Sequence, residues 1–90
     1  MSTIERIWMN EIAGLGCLNH PGTPAVLHHI REGQGLAQRA GNFLVIPLCP
    51  ECHTGSLSIH HSKRQFEKLY GNELDLLDET LSKLSNKIFK

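Results

Sequence analysis

The chain has 90 residues, and its nine basic side chains balance nine acidic ones. A chain of this length forms one small domain that buries about 60% of its unfolded surface, so a structural metal would add useful stability. Zero net charge excludes a strongly basic nucleic-acid-binding protein, and no apolar run approaches the ~18 residues of a membrane span. Three cysteines and no recognisable secretory segment predict a cytoplasmic protein with reduced thiols.

The first predicted element is an amphipathic helix over residues 3–13. Ser2 or Thr3 is available as its N-cap, and Glu5 lies in its first turn. Four apolar side chains recur at helical spacing and are expected to face the core: Ile4, Ile7, Trp8 and Ile12. The glycines that follow residue 13 end this helix.

Two segments predict antiparallel β-strands. Residues 25–30 (AVLHHI) follow a proline and have a strand-like composition, and residues 43–48 (FLVIPL) are the most strand-like run in the chain. The polar, glycine-containing residues 31–42 form the predicted loop between them. The second strand leads into residues 49–52 (CPEC), which predict a tight turn.

Two further helices are predicted towards the C-terminus. Residues 62–70 form the first, with Gly71 as its C-cap. Its expected core contacts are Phe66, Leu69 and Tyr70. Residues 73–90 form the second, and its apolar residues recur as a heptad stripe: Leu74, Leu77, Leu81, Leu84 and Ile88. We expect this stripe to pack against the domain's own helices, with a homodimer through the C-terminal helix as the alternative.

Two short motifs have the spacing of a structural zinc site. Cys17-x2-His20 precedes the predicted strands, and Cys49-x2-Cys52 follows them. Thiolate and imidazole suit zinc, and four such ligands close a tetrahedral site. A buried free thiol or a surface histidine is the alternative for any one of these residues. The pattern predicts a structural Zn2+ that holds the fold and does no chemistry.

The remaining histidines predict a second, open site. His28 and His29 are adjacent near the end of a predicted strand, where successive side chains point to opposite faces, so one can bind a metal while the other faces a substrate. His53 follows the second cysteine pair, and His60 and His61 come seven and eight residues later. Several imidazoles with open positions are typical of a catalytic metal centre. A lone histidine is more often a core or surface residue, but five within 34 residues favour a site.

Together these motifs resemble an HNH nuclease. The resemblance rests on HHI (28–30), Asn42, IPLCPECH (46–53) and IH (59–60), and it covers about residues 17–71. Similar proteins include small phage-type HNH proteins, among them the recombination-enhancing, RecA-dependent nuclease family.

The resemblance implies a fold class and a domain organisation. The fold would be α+β, with a small zinc-stapled ββα-metal core of treble-clef-like form and flanking helices at both ends. A single nuclease domain would span residues 1–90, with its core at about 17–71 and its flanking helices at about 3–13 and 73–90.

The resemblance also implies a role for each matching residue. His29 corresponds to the general base that deprotonates water for attack on the scissile phosphate, and Asn42 to the residue that orients this base. The ligands of one divalent catalytic metal (Mg2+, Mn2+ or Zn2+) would be His28, His53 and His60. The ligands of the structural Zn2+ would be Cys17, His20, Cys49 and Cys52. His60 is preferred to His61 as a ligand from the IH pattern.

The implied function is metal-dependent hydrolysis of DNA phosphodiesters that leaves 5′-phosphate and 3′-hydroxyl ends. The protein would be phage-encoded, linked to recombination and located in the host cytoplasm, with DNA as substrate and a recombinase filament as a candidate partner. Residues 28–68 carry five basic against three acidic side chains, which favours this segment as the phosphate-facing surface. The candidate DNA contacts are Arg31, Arg39, Lys63 and Arg64.

Two other interpretations stay open on the sequence. A non-catalytic zinc module that binds nucleic acid or protein explains the cysteine motifs but leaves the other histidines without a role. Alternatively, both metals are structural and the heptad stripe of the C-terminal helix is the functional surface.

Overall fold

A computed structural model describes residues 1–35 and 38–89. The predicted α+β class is confirmed, since the chain forms a two-stranded sheet surrounded by helices. The elements in chain order are α1 (Thr3–Ala13), β1 (Val26–His29), β2 (Val45–Leu48), α2 (Pro50–Thr54), α3 (Lys63–Tyr70) and α4 (Glu73–Ile88). Two positions of the predicted 31–42 loop, 36 and 37, and position 90 of the predicted C-terminal helix lie outside the described residues.

The predicted antiparallel pairing of the two strands is confirmed. His28 lies opposite Ile46 and His29 opposite Val45 in the register. Every residue of β2 is buried, because β1 and the helices α1, α2 and α4 all pack against it. Both strands are shorter than predicted, since Phe43 and its neighbour Leu44 are exposed and lie before the paired segment.

Helix α1 begins at its predicted N-cap. The Ser2 hydroxyl accepts a hydrogen bond from the Glu5 N–H, and the Glu5 carboxylate accepts one from the Ser2 N–H, which together form a capping box. Ile12 is fully buried, but the prediction that Ile4 and Ile7 face the core is wrong, because they are 64% and 54% exposed. Only the C-terminal half of the helix packs against the sheet and α4, so its first turns project beyond the core.

The predicted tight turn at residues 49–52 is instead the start of a short helix. Pro50 occupies the first helical position of α2, where its missing N–H is no loss, and Cys49 precedes it in extended conformation. The His53 N–H donates to the Cys49 carbonyl, which closes the first helical turn. As a result, Cys52 and His53 leave α2 in different directions.

Helix α3 follows the predicted boundaries closely. Phe66 is fully buried and Tyr70 is half-buried, as predicted, but the prediction for Leu69 is wrong because it is 60% exposed. Gly71 ends the helix with a φ of 104°, a conformation that glycine adopts without strain.

The packed face of α4 is not the predicted heptad stripe. The buried residues are Glu73, Leu76, Thr80 and Leu84. Of the predicted stripe, Leu84 is buried and Leu77 is half-buried against the core, but Leu74, Leu81 and Ile88 are 53%, 40% and 55% exposed. Thr80 tolerates burial because its hydroxyl donates to the Leu76 carbonyl at 2.7 Å. A homodimer through the exposed part of the stripe stays a prediction.

The core lies on both sides of the small sheet. Ile12, Val45 and Leu84 form a cluster between α1, β2 and α4. The larger cluster joins the three cysteines to the aliphatic and aromatic residues of the other helices, including Phe66 and Leu76. Among the helices of the described residues, none has the length and apolarity that crossing a bilayer requires.

Candidate metal centres

Cys17, His20, Cys49 and Cys52 converge on one point, and we call them the cysteine cluster. The His20 Nδ1 atom lies 3.8, 3.6 and 3.3 Å from the three thiol sulfurs in that order. Sulfur and nitrogen ligands of one tetrahedral zinc ion are separated by about 3.5 Å, given Zn–S and Zn–N bonds of about 2.3 and 2.05 Å. The four side chains are therefore compatible with a structural zinc ion.

Local backbone geometry presents the first half of this cluster. The Cys17 N–H donates to the Thr23 carbonyl and the Thr23 N–H to the His20 carbonyl, which folds the segment back on itself. The Leu18 N–H donates to the carbonyl of Pro47 in β2, so this folded segment, residues 17–23, is attached to the sheet. The two halves of the cluster consequently meet at one end of the hairpin.

The surroundings shift the pKa values of two of the thiols in opposite directions. Burial raises the pKa of Cys52 to about 12, despite the Asn19 side-chain amide that donates to its sulfur at 3.7 Å. Burial also opposes ionisation of Cys17, but N–H groups of Cys49 and Asn19 outweigh it and lower its pKa to about 7. All three cysteines are buried and none forms a disulfide. A bound zinc ion would deprotonate both kinds of thiol.

His28, His53 and His60 converge on a second point, and we call them the histidine cluster. Their ring centroids are 4.6 to 5.4 Å apart. The Nε2 atoms of His53 and His60 approach to 3.0 Å. Two imidazole nitrogens bound to one metal are about 2.9 to 3.3 Å apart, for bond angles between octahedral and tetrahedral. The structure thus brings together the three residues that the resemblance grouped as ligands of a second metal.

Three separate elements supply this cluster. His28 comes from β1 and is 2% exposed, whereas the adjacent His29 points elsewhere, as strand alternation predicts. His53 comes from α2 and His60 from the segment between α2 and α3. Helix α2 ends at residue 54, so His60 arrives through a bend and not along a continuous helix. His61 lies outside the cluster, with its N–H donating to the Ser58 hydroxyl.

All three imidazoles of the histidine cluster favour the neutral form. Desolvation by burial lowers the pKa of each one, and the neighbouring His60 and His28 add to the effect at His53, whose pKa falls to about 4. A neutral imidazole has a free nitrogen lone pair, which is the form that binds a metal ion.

A buried carboxylate fixes the orientation of His28. The Glu73 Oε2 atom lies 2.5 Å from His28 Nε2, and its two oxygens also accept hydrogen bonds from the N–H groups of Arg31 and Glu32. Because Glu73 is ionised and can only accept, the His28 proton resides on Nε2. The other nitrogen, His28 Nδ1, is buried and without a hydrogen-bond partner. A bound metal would satisfy this atom, so the residues present fit a second ion.

His29 lies beside the histidine cluster, with two polar neighbours. Its Nε2 is 2.9 Å from the Asn42 Oδ1 atom. The Arg39 guanidinium lies 2.9 Å from His29 Nδ1 and 3.0 Å from Nε2. The two residues that the resemblance assigned to catalysis, His29 and Asn42, are therefore in contact.

Two cavities adjoin the histidine cluster, and both contain His28, His60 and Arg31. One, of about 270 Å³, also contains His29, His53 and Arg39. The other, of about 200 Å³, also contains Lys63 and Glu73. Three of the four predicted DNA contacts thus line the cavities, whereas Arg64 lines neither of them.

Comparison with known proteins assigns a family. A family model described as a protein of unknown function, DUF968, matches residues 5–87. The chain belongs to the DUF968 family. No curated protein and no solved structure matches it. The DUF968 region includes both ligand clusters and nearly all of α1 and α4.

Two residues of the site did not stand out in the sequence. Glu73 follows Asn72, a helix N-cap, and so has the appearance of an ordinary first-turn acid. Glu5 has the same appearance on α1, yet its Oε2 accepts a hydrogen bond from Asn42 Nδ2 at 2.8 Å. Only the long-range contacts of these two carboxylates distinguish them from other acidic residues of the helices.

Proposed function

We propose that this chain is a metal-dependent DNA endonuclease of the HNH type. The proposal rests on two adjacent features. The first is the histidine cluster, in which the buried His28 Nδ1 atom has no hydrogen-bond partner, and the second is the contact between His29 and Asn42. An antiparallel strand pair followed by a helix holds these residues, in the order that the ββα-metal core requires. This order of elements supports our assignment of the chain to the ββα-metal fold.

The histidine cluster is the proposed site of one divalent ion. His28 would bind it through Nδ1, since Nε2 is committed to Glu73. When bound, the ion would polarise the phosphate and stabilise the leaving 3′-oxygen. Glu73 would hold the His28 ring in one tautomer and one orientation, as carboxylate partners of metal-bound histidines do.

The hydrogen bonds around His29 indicate which of its nitrogens acts as the base. The Asn42 Oδ1 atom can only accept, so His29 carries its proton on Nε2. The Arg39 guanidinium lies almost equally far from both ring nitrogens, at 2.9 and 3.0 Å, so it does not select between the tautomers. With its proton on Nε2, His29 has Nδ1 as the atom that takes a proton from water as the water attacks the phosphorus. Arg39 has to move from the His29 ring towards the substrate phosphate before this step.

The basic side chains of the cavities would bind the DNA backbone. Arg39 and Arg31 line the cavity that contains His29, and Lys63 lines the neighbouring one. Arginine can bind a phosphate with two hydrogen bonds, whereas lysine acts as a point charge. Because the chain has no excess positive charge, we expect modest and salt-sensitive affinity for free DNA.

Plasmid nicking tests the proposal. The zinc-containing protein is incubated with supercoiled plasmid and added Mg2+, Mn2+ or Zn2+, beside His29→Ala and His61→Ala variants. We expect His29→Ala to lose about 10²- to 10⁴-fold in rate, the usual contribution of a general base. His61→Ala is the matched control, since His61 is an exposed neighbouring histidine outside the cluster, and it should cut like the original chain.

Absence of cleavage with every metal, repeated in the presence of a recombinase filament on single-stranded DNA, would refute the nuclease proposal. In that case a zinc-dependent binding module becomes the better assignment. Cleavage only with the filament would identify the recombinase as a required partner. Equal loss of cleavage in both histidine variants would refute the assignment of His29 as the base.

A further inference from the structure

The N-terminal helix reaches the proposed site through one acidic side chain. Glu5 Oε2 accepts a hydrogen bond from Asn42 Nδ2 at 2.8 Å, while its Oε1 accepts one from the Ser2 N–H at 2.9 Å. Because a carboxylate can only accept, it requires the amide nitrogen of Asn42 to face it. The Asn42 Oδ1 atom must then face the opposite way, where it lies 2.9 Å from His29 Nε2.

We propose that Glu5 is a positioning residue that sets the side-chain orientation of Asn42 and, through it, the tautomer of His29. An asparagine amide alone can present either its oxygen or its nitrogen to an imidazole, and each choice favours a different imidazole tautomer. The Glu5 carboxylate excludes the orientation in which the Asn42 nitrogen faces His29. The His29 proton therefore stays on Nε2, and Nδ1 is unprotonated. The catalytic consequence rests on the proposed nuclease function, whereas the tautomer itself does not.

Helix α1 is held against the loop that carries Asn42 at a second point. One turn after Glu5, the Trp8 indole N–H donates to the Phe43 carbonyl at 2.9 Å, and the two rings pack edge to face. Two contacts with neighbouring residues of the loop fix both the position and the rotation of the helix. The hydrogen bond from the Ser2 backbone N–H then holds the Glu5 carboxylate in the rotamer that reaches Asn42.

The charge state of Glu5 agrees with this role. Hydrogen bonds from the Ser2 backbone and then from the Asn42 side chain lower the pKa of Glu5 to about 2. The carboxylate is thus ionised throughout the pH range in which a nuclease assay is run, and it cannot become a donor to Asn42.

The test compares Glu5→Ala with Ser2→Ala in the full zinc-loaded chain. Ser2→Ala removes the hydroxyl of the helix cap but leaves the Glu5–Asn42 hydrogen bond, so it controls for loss of helix stability. Long-range nitrogen–proton NMR spectra report which ring nitrogen of His29 carries the proton. We expect one Nε2–H tautomer in the original chain and in Ser2→Ala, and a mixture in Glu5→Ala. A single Nε2–H tautomer in folded Glu5→Ala would overturn the proposal.

A further pair of variants tests the Glu5–Asn42 hydrogen bond while keeping a polar side chain at both positions. Asn42→Asp alone places two carboxylates against each other. Adding Glu5→Gln supplies an amide that donates to one oxygen of the new carboxylate at position 42. The other oxygen of that carboxylate can still accept from His29 Nε2. Both variants should keep the Nε2–H tautomer, because a carboxylate at position 42 can only accept from His29. We expect the double variant to regain thermal stability relative to Asn42→Asp, since it restores the hydrogen bond between positions 5 and 42. Equal thermal stability of the single and double variants would overturn the proposal even if Glu5→Ala failed to fold.

The nuclease assay adds a kinetic signature. Loss of orientation of the base should lower kcat by about tenfold in Glu5→Ala and leave KM unchanged, because Glu5 makes no contact with the phosphate-binding side chains. A raised KM with unchanged kcat would overturn the positioning role. If no preparation cuts DNA, the proposed function fails, but the NMR comparison still decides whether Glu5 controls the His29 tautomer.

Discussion

The cysteine cluster and the histidine cluster share one short helix but differ in their surroundings. Cys52 and His53 are consecutive residues of α2, yet each belongs to a different cluster. The cysteine cluster has four ligands, three of them buried in the main core. The histidine cluster has three ligands and two adjoining cavities. A set of four ligands leaves no position for a substrate on a tetrahedral ion, whereas a set of three does.

The ligand charges sharpen this difference. Three thiolates more than cancel the charge of a bound divalent ion, whereas three neutral imidazoles leave both positive charges in place. Only the histidine cluster would therefore attract a phosphate group, and the basic residues Arg31, Arg39 and Lys63 line its cavities. On the proposed function, the cysteine cluster would hold a structural ion and the histidine cluster a catalytic one within a single small domain.

The largest expected effect comes from breaking the cysteine cluster. Cys52→Ser should release the structural zinc and unfold the domain, because zinc binding at such sites contributes on the order of 10 kcal/mol, as much as the whole stability of a small domain. His53→Ala, one residue away on α2, should leave the fold and that zinc in place. Circular dichroism with a zinc assay measures both. A folded Cys52→Ser protein without zinc would show that the cysteine cluster does not hold the fold.

The next effect concerns the carboxylate behind His28. Glu73→Gln keeps the size of the side chain but offers one acceptor oxygen where His28 and two backbone N–H groups now share two. We expect metal affinity at the histidine cluster to fall about 10- to 100-fold, the usual effect of removing a carboxylate partner from a ligating histidine. Titration with Co2+ after the cysteine cluster is filled with zinc measures this affinity. Asp78→Asn, an exposed acid of the same helix, is the control. Equal affinities in the two variants would contradict the role of Glu73.

The residues of both clusters could be grouped from the sequence. The Cys17-x2-His20 and Cys49-x2-Cys52 motifs have a recognisable spacing, and the HNH resemblance grouped His28, His53 and His60, and the structure brings the members of each group together. Their carboxylate partners could not be found in this way. Glu5 and Glu73 both occupy first turns of helices, where acids are common, and their contacts lie 37 and 45 residues away along the chain.

The error in the heptad stripe of α4 has the same origin. A pattern of apolar residues predicts the buried face only when the buried residues are apolar. Here Glu73 is buried to reach His28, and Thr80 is buried because its hydroxyl is satisfied within the helix. Leu74 and Leu81, which directly follow these two residues in the chain, are exposed. The apolar stripe therefore does not mark the buried face of α4.

The two clusters should also differ in how pH affects their metal affinity. Because the zinc-free domain is expected to unfold, its thiols have an ordinary pKa of about 8.5, so zinc must displace their protons and affinity should rise at least tenfold per pH unit between about pH 6 and pH 8. His53 has a lowered pKa of about 4, so protons compete with metal only in acid, and affinity should stay nearly constant between about pH 8 and pH 6. Chelator competition for the cysteine cluster and Co2+ titration for the histidine cluster measure the two slopes. A steep fall at the histidine cluster below about pH 7 would show that its imidazoles titrate as exposed ones do.

The smallest expected effect distinguishes two adjacent basic residues at the start of α3. Lys63 lines a cavity beside the histidine cluster, but Arg64 does not line either cavity, so only Lys63 should contact a phosphate of bound DNA. Lys63→Ala should weaken binding and reduce the slope of log affinity against log salt concentration by about 0.9 for duplex DNA. Arg64→Ala should leave the slope unchanged, although it removes the same formal charge from the chain. Fluorescence anisotropy at several salt concentrations, with Ca2+ in place of a catalytic metal, measures the slopes. An equal reduction of the slope in both variants would mean that DNA affinity depends on the net charge of α3. It would contradict binding of the DNA backbone at the cavities.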